Sequence, residues 1–127
     1  MKTAELTGAL LDYWVARANG DGAKIEDSIC WRFESDQEHG DGCGFFSFDP
    51  STDWAQGGPI IGQEKISFVL TDWADDADRY WAGYQPCLQS MTGMAYDGVT
   101  GTGPTPLVAA MRAFVANKFG DDVHDPL

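Results

Sequence analysis

Asp53, Trp54 and Gln56 stand beside Gly57 and Gly58, and together they are residue types that can hold a small planar ligand. The carboxylate and the amide can read a polar edge, the indole can stack on a flat face, and the glycines let backbone approach closely. The same residues also build an ordinary corner, with Asp53 as a helix cap, Trp54 as a core plug and the glycines permitting tight packing. That second reading needs no ligand and weighs more. The other candidate is the helix start at Thr105. Free backbone amides at a helix start bind phosphate, and Arg112, further along the same segment, can assist an anion or pair with a carboxylate. Pro104 and Pro106 remove donors there, and no Lys stands where a nucleotide-binding P-loop needs one. A structural helix entry is therefore favoured. Taken together, Asp53, Trp54, Gln56, Gly57, Gly58, Thr105 and Arg112 are the candidate residues for a nucleotide-like ligand.

Other chemistries find less support. Cys30, His39 and Cys43 contain no closely spaced cysteine pair and lack a fourth ligand, so neither a metal nor any other cofactor is expected. A nucleophilic hydrolase is disfavoured as well: no Gly-x-Ser-x-Gly turn occurs, and the two histidines, His39 and His124, lie in polar segments that position a catalytic base poorly. Catalytic residues are accordingly none, and the chain is not read as an enzyme. Carboxylates are so abundant that no pair of them is evidence; Asp75 with Asp76, and Asp121 with Asp122, read as solvated faces.

Composition sets the outer limits. The 127 residues amount to one domain, 43% hydrophobic and 13% aromatic, which is enough to bury a core without a staple. Five Trp in so short a chain are expected to be mostly structural. The net charge of −12 repels phosphate backbones and anionic lipid, so direct nucleic-acid binding and membrane association are disfavoured. It leaves basic proteins, small molecules or plain solubility. Three scattered cysteines, with no apolar segment of signal or membrane-spanning type, indicate a cytoplasmic protein with reduced thiols.

The elements that position these residues follow from periodicity. Leu10, Leu11, Trp14, Val15 and Ala18 give a helix over 8–18, with Thr7 as cap, Leu6 and Leu11 as a hydrophobic staple, and Asn19 and Gly20 at its exit. Residues 28–34 alternate as a half-buried strand, Ile29, Trp31 and Phe33 on one side and Cys30 and Arg32 on the other. Phe46 and Phe48 form its hairpin partner across a polar loop at 35–44. Residues 51–61 make a short helical turn that Gly57 and Gly58 stop and Pro59 restarts. Strands are expected over 65–71, 79–84 and 88–96, with acidic residues at 72–78 and a turn-rich stretch at 97–103. The clearest element is a helix from Thr105, its cap, through Pro106, Leu107, Ala110, Met111, Phe114 and Val115 to a stop at Gly120. The fold class is α+β: one domain over 1–127, with two main helices, amino- and carboxy-terminal, on a mostly antiparallel sheet of about four strands.

Three blocks carry a likeness: ELTGALLDYWVARA at 5–18, STDWAQGGPII at 51–61 and GPTPLVAAMRAFVANKFG at 103–120. With these the chain resembles the phage NinX-like family, small proteins carried by temperate phages and prophages. The resemblance spans both ends and the centre. It implies a phage or prophage origin and a place in the host cytoplasm, and it brings no catalytic residues with it. The expected role is a small acidic accessory protein, a non-catalytic module that binds a host or phage protein; binding of a small nucleotide-like ligand is the alternative. A homodimer is compatible with either.

Overall fold

The computed structural model describes residues 1–34, 44–70, 79–84 and 99–126. Most of the loop at 35–44, the acidic stretch at 72–78, the strand expected over 88–96, and His39, Cys43 and Cys87 lie outside them.

Helix α1 spans Gly8–Ala18. Leu6 and Leu11 are fully buried in one apolar cluster, as a staple requires. Thr7 has the extended backbone of a cap, but its hydroxyl accepts no amide hydrogen bond from the helix. Helix α3, Pro106–Phe119, is the spine of the domain. The Thr105 side chain accepts the Val108 N–H at 3.1 Å, and Leu107, Ala110, Met111, Phe114 and Val115 are buried. Gly120, at φ 85°, ends it.

The α+β class and the antiparallel pairing hold, and among the described residues the strands divide into two three-stranded sheets instead of forming a single one. The first contains β1 (Ala23–Glu26), β2 (Ile29–Glu34) and β3 (Gly44–Ser47) in that order. The hairpin of β2 with β3 is the expected one; β1 is additional. Asp27 and Ser28 join β1 to β2 with φ of 54° and 63°, left-handed values that give a tight two-residue turn without glycine. The second sheet contains β4 (Ile66–Leu70), β5 (Tyr80–Tyr84) and β6 (Thr100–Gly103). β6 occupies part of the stretch that reads as turn-rich, because its Gly101 and Gly103 lie against α3. A Cβ on Gly101 would stand 2.5 Å from the Ala109 carbonyl oxygen and 2.6 Å from the Ala113 nitrogen.

Helix α2 corrects the expected break at Gly57 and Gly58. It runs unbroken over Trp54–Glu64 with Pro59 inside. Proline forfeits one backbone hydrogen bond there. Burial of Ile60 in the core helps offset that loss. Gly57 serves packing instead of termination, since a Cβ on it would meet the Pro50 carbonyl oxygen at 2.4 Å and Leu107 Cδ2 at 2.7 Å.

The two ends of the chain meet. Lys2 bridges Asp122, the Thr3 N–H donates to the Asp121 carbonyl at 2.8 Å, and the Thr3 hydroxyl donates to Gly120 O at 2.7 Å. Among the described residues, no helix is long and apolar enough to cross a membrane.

Candidate functional site

Each of the seven candidate ligand residues has a definite place. Asp53 caps α2, its Oδ1 accepting the Ala55 N–H at 2.9 Å. Gln56 spends its amide on the chain: Oε1 accepts the Asp49 N–H at 2.7 Å and Nε2 donates to the Ser47 carbonyl at 3.1 Å. Gly57 touches Leu107 on the first turn of α3, so the α2 segment and the Thr105 helix start do come together. Gly58 lies under the Trp54 ring. Trp54 is not a core plug; it is 52% exposed and tilts against Phe68 with ring centroids 6.2 Å apart. Thr105 is occupied as a cap. Arg112 is buried, donating from Nε to the Leu6 carbonyl at 2.9 Å and from Nη1 to Thr102 O at 2.7 Å. It ties the start of α1 to β6 across α3. It also lines a cleft of about 260 Å³ with Lys2, Thr3 and Asp121, well away from the α2 cap in sequence and without Trp54 in its wall.

Asp12 is a residue that sequence reasoning passed over. It is buried in the middle of α1, and its Oδ1 accepts the Ser51 N–H at 2.9 Å, joining the helix to the segment before α2. Burial pushes its carboxyl up to about 6, against the opposing pull of the Ser51 hydrogen bonds. The signal was present in the sequence: Asp12 precedes Val15 and Ala16 by three and four residues, which puts it on the apolar face. It borders a cleft of about 340 Å³ between α1 and the first sheet, together with Cys30, Ser47, Phe48 and Asp49. Burial, and then the Asp12 charge, hold the Cys30 thiol up at about 12, so it is protonated and unreactive at neutral pH. The cleft thus has a proton-binding carboxyl but no activated nucleophile beside it. Among the described residues, no three His, Cys, Asp or Glu side chains are grouped to hold a metal ion. His124 packs edge-on against Trp14, with ring centroids 4.8 Å apart.

The outer face of the first sheet is the least expected surface. The alternation of β2 separates Ile29, Trp31 and Phe33 from Cys30 and Arg32 without telling which side the core takes. The structure decides it: Cys30 is buried toward α1 and Arg32 lies 4.3 Å over the Phe48 ring, while Ile29 and Phe33 are 45% and 41% exposed. Phe33 pairs across the strands with Phe45, itself 42% exposed, and their rings meet edge to face at 5.5 Å. Lys24 reaches over the Phe45 ring at 4.5 Å. Ile29, Trp31, Phe33 and Phe45 therefore share one outward side, a contiguous aromatic and aliphatic surface on a chain of net charge −12.

The model of the family described as Bacteriophage P22, NinX matches residues 2–118. That match takes in nearly all of the domain, and the chain belongs to this family. No curated protein matches it.

Proposed function

We propose that this member of the phage NinX family is a non-catalytic protein-binding module that works in the host cytoplasm, and that its docking surface is the outer face of the first sheet. One observation carries the reading: Ile29 and Phe33, which alternate onto one side of β2, stand at the surface with Phe45 beside them. Contiguous exposed apolar side chains on a folded domain mark interaction surfaces. Aromatic anchors dominate the energy of such contacts. The net charge of −12 favours a basic protein partner, of host or phage origin, and speeds its encounter.

The nucleotide-ligand reading gains less from the geometry. The Gln56 amide and the Asp53 carboxylate already bond within the chain, the Thr105 hydroxyl is a cap, and Arg112 is buried on two carbonyls.

The test is affinity capture from extract of phage-infected host, comparing the wild type with a Phe33→Ala/Phe45→Ala double variant. The expected result is a basic protein held by the wild type, released by salt, and bound roughly 30-fold more weakly by the variant. Equal retention by both proteins, or no protein held selectively by the wild type, would overturn the reading.

A further inference from the structure

Among the described residues, two three-stranded sheets present four open edges, and three of them are blunted. On β1, Lys24 and Glu26 form an ion pair at 3.1 Å, and charged side chains on an edge discourage another strand. On β3, Gln56 Nε2 already holds the Ser47 carbonyl. On β6, Arg112 Nη1 holds the Thr102 carbonyl, and Gly101 and Gly103 offer nothing to pack against.

Among the described residues, nothing blunts β4 in this way. It is uncharged from Ile66 to Leu70, and Phe68, Val69 and Leu70 are 40%, 53% and 55% exposed. Among the described residues β5 is its only strand partner. We propose that β4 is the edge through which two copies of this chain pair, antiparallel across a two-fold axis at Phe68, joining their second sheets into one of six strands.

Charge selects a second copy as the occupant. A chain of net charge −12 repels itself wherever carboxylates would meet, so self-association needs an uncharged surface. Pairing about Phe68 sets Ile66 opposite Leu70 of the second copy, Ser67 opposite Val69, and Phe68 opposite itself. No charge faces a like charge, and every pair is apolar or neutral. A basic partner, by contrast, would find no carboxylate on this strand to recognise. An antiparallel two-fold also gives each outward N–H a carbonyl of the other copy, which is how an edge strand recruits a partner. Trp54, half exposed against Phe68, gains cover from the same contact. The docking face of the first sheet is separate from this edge and stays open in the dimer.

Sedimentation equilibrium of the full chain over a range of concentrations tests the proposal, with Val69→Lys and Ile29→Lys beside the wild type. Both variants change net charge equally, and both sites are about half exposed, so neither should disturb the fold; circular dichroism checks this. The expected result is a dimer for the wild type and for Ile29→Lys, and half that mass for Val69→Lys. A monomeric wild type at every concentration, a dimer unaffected by Val69→Lys, or dissociation by both variants alike would overturn it.

Discussion

The two sheets are built alike and seated differently. The second sheet touches α3 through glycine: at Gly101 and Gly103 the helix backbone lies where a side chain would be. The first sheet touches α1 through side chains, chiefly Cys30 and Phe48, with Asp12 reaching to Ser51. The first arrangement is close and leaves no freedom of register. Along the second, clefts of about 340 and 410 Å³ border the seam. Backbone-to-backbone packing is thus concentrated around α3. The half that carries the exposed aromatic face is attached by contacts that leave room.

That contrast can be broken most forcefully at Gly101. A methyl group there collides with backbone at 2.5 and 2.6 Å, so Gly101→Ala should destabilise the domain by about 3 kcal/mol, the upper part of the usual range for overpacking. Gly44 in the first sheet has no atom of the described residues within 4 Å of the same added carbon, and Gly44→Ala should leave stability unchanged within about 0.5 kcal/mol. Urea melts of the two variants check this directly. Equal losses would mean that glycine seating does not distinguish the sheets.

Asp12 sharpens the comparison through pH. Its carboxyl is raised to about 6 in the fold, above the value near 4 of an unfolded chain. The folded state therefore binds this proton more tightly. Ionised Asp12 works against the fold above about pH 6, and the burden lifts as pH falls toward 4. Between about pH 7 and 4.5 the wild type should gain on the order of 2 kcal/mol relative to Asp12→Asn, which lacks the titration. Parallel pH profiles for the two proteins would place the titration elsewhere.

The smallest test sets the two capping threonines side by side. Thr105→Ala removes a hydrogen bond to the Val108 N–H and should cost about 1 kcal/mol. Thr7→Ala removes none and should cost no more than a few tenths of that amount. Thermal midpoints of the pair decide it, and a larger loss at Thr7 would show that the α1 cap forms in solution.

Periodicity made α1 and α3 legible to their last residues, because both helices bury a continuous apolar stripe and end at a turn. The hairpin of β2 with β3 was legible for the same reason. What escaped were features decided by distant neighbours. β1 is four residues long, and Asp27 and Ser28 adopt left-handed backbone without the glycine that would have announced the turn. Gly57, Gly58 and Pro59 carry every local sign of a break, yet the need for a bare backbone between Pro50 and Leu107 keeps the helix whole. Which face of β2 the core takes was not legible, because alternation shows that two sides differ, not which of them a helix will cover. In the candidate ligand site, the Asp53 and Thr105 caps were legible from residue type. The burial of Arg112 on two carbonyls was not, since Leu6 lies 106 positions away.

The meeting of the chain ends has one more consequence. With Lys2 bridging Asp122 and Thr3 held by Asp121, the backbone traces a closed circuit. A few linking residues would join the ends, and a cut between Asp27 and Ser28 would open new ones at an exposed turn. Such a circular permutant keeps nearly every contact described above while changing the order in which the elements follow one another along the chain. The native contacts prescribe a cyclic order of helices and strands, and leave the starting point to the gene.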